Sequence, residues 1–368
     1  MLAGRRCLKY KEHRLINVTI FNGLSILVYS PYFYREYKKK RGRKKKGRKK
    51  GNNHYCHFGL SVIGFTGYYS MNLANEIVQM ALLCPSPESC HKILKDKGCH
   101  VNIKTIRRLC RQIGEIGISN RGFISVTDHE AIKGKTLVVG IDGGRLRERK
   151  TKRGRKKTGD KRQGFHTDWK EPKLFTIYLL DENGEIDKNF APLHDATMNG
   201  KDVVFDIPGT YLEALKVEEV GKLVFVGDGA PWIWSRVEDL VRESIPSDIQ
   251  VHQVLDYTHA KQALGEIWEL LPKKFSENKK LWNSWTSNLW KGDLDSIQDS
   301  IQTLLNGNKL TEGMRKFNNY FRKNEKRMQY NYFKGQGVPC GSGCVESAIR
   351  RVINLRLKSP GIFWLTEM

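Results

Sequence analysis

The sequence predicts an α/β protein in which a mixed sheet carries an all-α insertion and follows a small β hairpin unit and a helix-turn-helix domain. Three observations predict it. Apolar runs of strand length recur between residues 136 and 255. A stretch with helical periodicity, rich in Trp and Lys, occupies 257–333. Ahead of both, one run has the residue types of strands and three runs have helical periodicity.

Positive charge is concentrated in two short runs. The chain has 368 residues with 39% hydrophobic content, enough to bury a core, and its 64 Lys and Arg against 39 Asp and Glu give a net charge of +25. Residues 38–50 hold eleven basic and no acidic residues, and residues 145–162 hold eleven basic and two acidic ones. Such runs need a polyanion, and we favour nucleic acid over an anionic membrane.

Targeting and metal signals are weak. No run approaches the roughly 18 apolar residues of a membrane span, and the N-terminus lacks the apolar centre of a signal peptide. The eight cysteines form no Cys-x-x-Cys pair. The cluster HYCH at 54–57 has no second pair to complete a zinc site, so reduced thiols are the favoured interpretation and zinc the alternative.

The first region, 1–50, is predicted to hold a β hairpin and a basic arm. Residues 15–34 alternate β-branched and aromatic side chains around Asn22-Gly23, a dipeptide typical of hairpin turns. The basic run 38–50 follows directly. We expect its Lys and Arg residues to contact DNA, including Lys39, Lys40 and Arg43.

Three helices are predicted next, within a domain at 60–125. The first spans 71–83, the second is capped by Ser86, and the third is capped by Asn102 and ends near Gly114. The last two have helix-turn-helix proportions. The third has a basic face suited to a major groove, formed by Lys104, Arg107, Arg108 and Arg111. An ordinary helical hairpin with a solvated basic face is the alternative.

The catalytic core is predicted in two parts, 130–256 and 336–368, separated by an all-helical insertion at 257–335. The first part reads as β-β-β-α-β-α-β, with three meandering strands followed by strands that enter through crossovers. That is the order of an RNase H-like sheet. The predicted strands are 136–142, 173–180, 186–193, 222–227 and 250–255, and the predicted helices are 207–219 and 231–243.

Three acidic residues stand where they could meet. Asp142 and Asp228 each end an apolar run and follow a glycine, and Glu346 lies in a final helix expected at about 343–357. Arg350 is four residues after Glu346, on the same helical face. Two strand-end carboxylates and one helical carboxylate can share divalent metal, with an Arg beside them for phosphate. Alternatively, each Asp is a turn residue and the Glu is solvated.

Four motifs give the chain a specific resemblance. They are IDGG at 141–144, GDGAPWIW at 227–234, LDYTHA at 255–260 and GSGCVESA at 341–348, followed by RLKSPG. Together, and in this order, they resemble bacterial insertion-sequence transposases with a DDE triad. The resemblance is to the Kra-type group in particular, which is akin to Mutator-like and hAT-like transposases with a helical insertion.

The resemblance implies a function and its residues. Asp142, Asp228 and Glu346 would be the catalytic, metal-binding triad, holding two Mg²⁺ (or Mn²⁺) ions, with Asp256 and His259 in support. The partners would be double-stranded DNA at element ends and target, in a homo-oligomeric complex associated with the bacterial nucleoid. From the basic run beside Asp142 we expect further DNA contacts by Arg145, Arg147 and Arg149.

Two alternatives remain open at this stage. One is an RNase H-like structure-specific nuclease that cuts without joining. The other is an inactive, truncated transposase that only binds DNA, because the final helix would be expected to continue beyond the last residue, Met368.

Overall fold

The computed structural model describes residues 8–20, 23–35, 54–123, 130–152, 154, 159, 164–358 and 364–365. The run 38–50, with Lys39, Lys40 and Arg43, lies outside these residues, as does part of 145–162. The chain forms two compact units, Met1–Ser119 and Asn120–Met368.

The first unit begins with the predicted hairpin. Strands β1 and β2 pair antiparallel over almost their whole length, and Gly23 has a positive φ of 78° in the turn between them. They belong to a five-stranded sheet with the order β3-β2-β1-β5-β4. Its strands are β1 (Lys9–Thr19), β2 (Ser25–Arg35), β3 (His54–Cys56), β4 (Phe65–Thr66) and β5 (Tyr69–Ser70), and the short helix α1 (Phe58–Val62) follows β3.

Three helices complete this unit, close to their predicted positions. They are α2 (Met71–Leu83), α3 (Pro87–Asp96) and α4 (Ile103–Ser119). Ser86 caps α3 by accepting from the N–H of Ser89, and the Asn102 side chain accepts from the N–H of Thr105 at the start of α4. Helix α4 passes the predicted end at Gly114, because a glycine inside a helix costs only about 1 kcal/mol. The helices pack on a shared core of Leu, Ile, Val and Cys side chains.

A mixed five-stranded sheet forms the centre of the second unit, in the order β10-β9-β6-β11-β12. Strands β6, β11 and β12 are parallel, and β9 is antiparallel to both β6 and β10. Most side chains of β6, β9 and β11 are buried, because both faces of these strands are covered. The strands are β6 (Thr136–Gly143), β9 (Lys173–Leu180), β10 (Leu193–Thr197), β11 (Lys222–Gly227) and β12 (Gln250–Leu255).

The third strand of the meander was predicted incorrectly at 186–193. Residues 181–186 form a turn around Asn183-Gly184, and Ile186 makes one bridge to Leu180. The chain then turns again, because the Asp187 carboxylate accepts from the N–H of Asn189 and from Lys135 Nζ. The strand therefore begins later, at Leu193.

A further hairpin was not predicted. Strands β7 (Leu146–Thr151) and β8 (Phe165–Lys170) follow β6 in the chain and pair antiparallel with each other, so the basic run 145–162 enters a strand at Leu146. The two-residue strand β13 (Trp364–Leu365) pairs parallel with β7, where continued helix had been expected.

Helices cover the central sheet. The first part of the core contributes α5 (Lys201–Val204), α6 (Asp206–Ala214) and α7 (Pro231–Ser244). The segment 257–335 is helical, with α8 (Tyr257–Trp268), α9 (Lys273–Ser276), α10 (Lys279–Lys291), α11 (Leu294–Leu304), α12 (Gly307–Phe317) and α13 (Tyr330–Gly335). Residues of α6, α7 and this segment share one apolar core with the sheet, in which Trp285 is fully buried.

The last helical segment packs on the other face of the sheet. It consists of α14 (Gly343–Ala348), a π-helical stretch at Ile349–Asn354 and α15 (Leu355–Leu357). Its buried face holds Val345 of α14 with Ile349 and Ile353 of the π-helical stretch, which cluster with Leu174 of β9. Leu355, in the last turn, is 65% exposed.

Candidate active site

Two predicted acids leave neighbouring strands at the same edge of the central sheet. Asp142 is the penultimate residue of β6, and Asp228 follows the last residue of β11. These strands are parallel, with Gly227 opposite Ile141 in the register. The two carboxylates are therefore carried by adjacent carboxyl ends of parallel strands.

Backbone N–H groups fix one oxygen of each carboxylate. Oδ1 of Asp142 accepts from the N–H of Gly143 at 2.6 Å, and Oδ1 of Asp228 accepts from the N–H of Ala230 at 2.9 Å. Trp234 Nε1 donates to the Asp228 carbonyl at 2.8 Å, tying the strand end to α7. Among the described residues, nothing donates to Oδ2 of either carboxylate. Both Oδ2 atoms remain available to a ligand.

The charges of the other two predicted acids act on Asp142. Burial, joined by the charges of Asp228 and Glu346, raises the pKa of Asp142 from 3.8 to about 6. The Gly143 N–H and His259 act in the opposite direction. The fold thus brings Asp142, Asp228, Glu346 and His259 into one electrostatic neighbourhood, although they are far apart in the sequence.

The absence of a side chain at residue 140 lets the helix with Glu346 approach β6. A Cβ at Gly140 would lie 3.1 Å from the Cβ of Val345. Val345 is buried there, while the neighbouring Glu346 is exposed. Ser342 Oγ lies 3.4 Å from Glu346 Oε1. Glu346 therefore stands at the rim of the site, whereas Asp142 is more enclosed.

Asp256 connects several parts of this site. Its side chain is buried, and it caps α8 by accepting from the N–H of His259 at 2.9 Å. Its second carboxylate oxygen accepts from the N–H of Ser342, just before α14. Its own N–H donates to the carbonyl of Gly227, the residue before Asp228. Asp256 thus links the end of β11, the start of α8 and the loop before α14 through hydrogen bonds.

His259 and Arg350, the two other predicted supporting residues, differ in how deeply they are buried. His259 lies in the first turn of α8, half-buried, with its charge acting on Asp142. Arg350 is exposed and belongs to the π-helical stretch. Arg350 follows Glu346 by four residues, across the change from α- to π-helix at Ile349, and their predicted alignment stays a prediction.

The donor chemistry of the site fits Mg²⁺ in part. In the described part of the chain, no group of three or more His, Cys, Asp or Glu side chains could hold a metal ion as arranged. Mg²⁺, however, commonly uses one or two protein carboxylates together with water and substrate phosphates. Asp142 and Asp228 could supply these two. A cation between them would also relieve the repulsion that contributes to the raised pKa of Asp142.

Basic residues begin directly after the Asp142 strand end. Arg145 is exposed between β6 and β7, while Arg147 and Arg149 are half-buried on β7. The Arg149 guanidinium lies over the Phe165 ring, 4.2 Å from its centroid. These side chains stand on a hairpin that starts within a few residues of Asp142.

The predicted basic face of α4 lies in the first unit and is exposed at each of its four positions. Arg107 forms an ion pair of 3.1 Å with Glu88 of α3. The Arg108 guanidinium packs against the turn at Gly67. Lys104 and Arg111 make no ion pair with any described residue. Two of the four basic side chains, Arg107 and Arg108, thus contact other residues of the first unit.

Sequence reasoning missed side chains next to the acids. Lys173 pairs with Gly143 in the sheet register, is buried, and lies 4.8 Å from the centroid of the Trp232 ring. Tyr320, from the π-helical turn Asn318–Arg322, packs against Gly229. The motif GDGAPWIW pointed to Gly229 and Trp232, but no sequence signal marked Tyr320 within the helical segment.

Comparison with known proteins identifies one similar solved structure and no family. No family model and no curated protein matches this chain. Among solved structures, the chain is similar to one from the Drosophila P element transposase strand transfer complex, with 11% sequence identity and a TM-score of 0.32. The match covers 78% of this chain and 88% of that chain. No helix among the described residues is long and apolar enough to cross a membrane.

Proposed function

We propose that this chain is a bacterial insertion-sequence transposase whose Asp142, Asp228 and Glu346 cut DNA strands and join them to a target. One observation carries the proposal. Two of these carboxylates leave adjacent parallel strands at the same sheet edge, and the charges of Asp228 and Glu346 both act on Asp142. Like charges grouped at one sheet edge are unfavourable without a counter-charge, so such a grouping points to a functional site.

We further infer that the central sheet is RNase H-like. In sequence order, its first three strands form an antiparallel meander and its last two run parallel to the first. The acids stand at the carboxyl ends of the first and fourth strands. Helix α14, with Glu346, packs against the first strand near Gly140. This combination of topology and acid placement supports the interpretation.

The proposed cofactor is a pair of Mg²⁺ (or Mn²⁺) ions held by the three carboxylates. When bound, such ions supply the Lewis acidity for attack of water on a phosphodiester, and then of the released 3′-OH on target DNA. The chain itself holds Asp142 and Asp228 by backbone N–H groups, so that their free oxygens keep a fixed direction. Asp256 fixes the loop that begins the Glu346 helix.

Double-stranded DNA is the proposed partner, in a homo-oligomeric complex in the bacterial nucleoid. The runs 38–50 and 145–162 hold most of the net charge of +25 and would neutralise backbone phosphates. Binding of a DNA duplex should therefore weaken log-linearly as salt rises. An affinity that does not change with salt would contradict the role given to these runs.

Strand cleavage tests the proposed chemistry. The DNA flanking the reading frame supplies candidate element ends, and single-turnover cleavage is followed with Mg²⁺ or Mn²⁺. Asp142→Asn, Asp228→Asn and Glu346→Gln should each abolish cleavage while DNA binding persists, and Glu277→Gln, an exposed acid in the helical segment, should cleave normally. Near wild-type cleavage by any of the three variants would refute the assignment.

The same reaction distinguishes the alternatives. Labelled ends joined to target DNA identify a transposase, and cutting without joining identifies a nuclease. Duplex binding without any metal-dependent cutting identifies a DNA-binding remnant.

A further inference from the structure

Tyr320 stands directly beside one of the proposed catalytic acids. It lies in the π-helical turn Asn318–Arg322, and its ring packs on Gly229, the residue after Asp228. A Cβ at position 229 would lie 2.7 Å from Cζ of the ring and 2.9 Å from its hydroxyl oxygen. Residue 229 therefore has to lack a side chain for Tyr320 to occupy this place.

The surroundings of Tyr320 hold its ring in position. Its carbonyl accepts from Asn324 Nδ2 at 2.9 Å, and its ring makes an edge contact with buried Phe321, with centroids 5.2 Å apart. Burial raises the pKa of Tyr320, and the charges of Asp228 and Asp256 act in the same direction. Like any phenol, that of Tyr320 is protonated at neutral pH and can donate a hydrogen bond. It has no hydrogen-bond partner among the described residues.

A second phenol, that of Tyr330, lies in the same region and provides an independent observation. Tyr330 is fully buried, and its hydroxyl has no hydrogen-bond partner in the described part of the chain. Its ring is fixed by Tyr257, edge-on with centroids 5.0 Å apart, and by stacking on Trp290. Tyr320 and Asp256 both act electrostatically on its hydroxyl. A buried unpaired hydroxyl costs about 1–3 kcal/mol, so the Tyr330 hydroxyl near Tyr320 and Asp256 is unlike ordinary packing.

We propose that Tyr320 is a catalytic residue whose hydroxyl donates a hydrogen bond to a non-bridging oxygen of the scissile phosphate. The inference rests on the proposed function. The phosphate brings negative charge to a place where carboxylates already stand. A neutral donor stabilises that charge, and its own burial does not require a counter-ion. The helical segment would then contribute directly to the reaction, through a side chain beside Asp228.

Tyr320→Phe removes the hydroxyl and leaves the ring against Gly229. We expect single-turnover cleavage at saturating DNA to fall by about 10- to 100-fold, because a hydrogen bond to a charged group is lost. Affinity for the duplex and for Mn²⁺ should change by less than about twofold, because the bond strengthens mainly as charge develops in the transition state. Tyr332→Phe, which alters a tyrosine that is 52% exposed on α13, is the matched control. Wild-type cleavage by Tyr320→Phe would overturn the proposal.

A second readout does not require activity. With 3-fluorotyrosine at position 320, addition of the end duplex and Mg²⁺ should shift the ¹⁹F resonance, and the same label at 332 should not respond. A shift without cleavage by the wild-type chain would uphold the contact and refute the proposed function. Cleavage with no shift would refute the contact alone. Neither cleavage nor shift would refute both.

Discussion

The buried carboxylate of Asp256 accepts a hydrogen bond from the backbone N–H of Ser342, 86 residues later in the chain. The same carboxylate caps α8 through the N–H of His259. One side chain thus joins the end of β12, the helix with His259 and the loop that begins the Glu346 helix. We propose that Asp256 acts through these neighbours as a positioning residue.

Replacement of Asp256 by Ala should lower the free energy of unfolding by about 2–4 kcal/mol. The change removes a helix cap and leaves the Ser342 N–H unpaired in a buried place. Asp293→Ala is the matched control, because Asp293 caps α11 in an exposed position, and its loss should cost about 1 kcal/mol. Urea denaturation of both variants measures the difference. Equal losses would show that the contact with Ser342 contributes nothing.

Asp142→Asn should stabilise the metal-free protein at pH 8. The folded-state pKa of Asp142 is raised to about 6 from 3.8, so the folded chain binds this proton more tightly than the unfolded chain. The resulting penalty is absent below pH 3.8, develops between pH 3.8 and about 6, and is complete above that. We expect a gain on the order of 1–3 kcal/mol at pH 8 that vanishes near pH 4.

Unfolding in EDTA at both pH values measures this gain, with Glu277→Gln as an exposed control. Because Asn keeps a carbonyl oxygen to accept from the Gly143 N–H, the comparison isolates the charge. A variant that is no more stable than wild type at pH 8 would show that burial and neighbouring charges do not destabilise the ionised Asp142 carboxylate.

The basic face of α4 should contribute unequally to DNA binding. Lys104 and Arg111 make no ion pair with any described residue, whereas Arg107 is paired with Glu88. Changing Lys104 and Arg111 together to Gln should weaken duplex binding and reduce the slope of log affinity against log salt by about 2. Glu88→Gln should preserve or increase affinity, because it releases Arg107. An unchanged slope in the double variant would exclude this face from the DNA contact.

The elements that sequence reasoning predicted well owe their pattern to burial. Strands β6 and β11 are continuous apolar runs because both faces of the sheet are covered, and the acids at their ends follow from that assignment. Hairpin β7–β8 was missed because its strands are made of charged and aromatic residues, including Arg147, Arg149 and Trp169. Strand β7 lies within the run 145–162, but its partner β8 lies beyond that run, so the composition of the run alone does not predict the pairing.

Site residues within a sequence motif could be predicted. Site residues that reach their positions only through tertiary packing could not. Asp142 and Asp228 meet because their strands are neighbours, which the predicted topology already required. The π-helical stretch after Ala348 was unpredictable, because it arises from fitting Ile349 and Ile353 to the sheet. Tyr320 is brought to Gly229 by the packing of the helical segment, and no local pattern encodes that distance.

Binding of Mn²⁺ followed by electron paramagnetic resonance tests the shared carboxylate site most directly. The wild-type chain should remove free Mn²⁺ from solution, and Asp142→Asn and Asp228→Asn should each weaken this binding by at least about tenfold, because the site loses one of its few proposed carboxylate ligands. Glu277→Gln should bind as wild type does. Undiminished Mn²⁺ binding in either Asp variant would contradict the account.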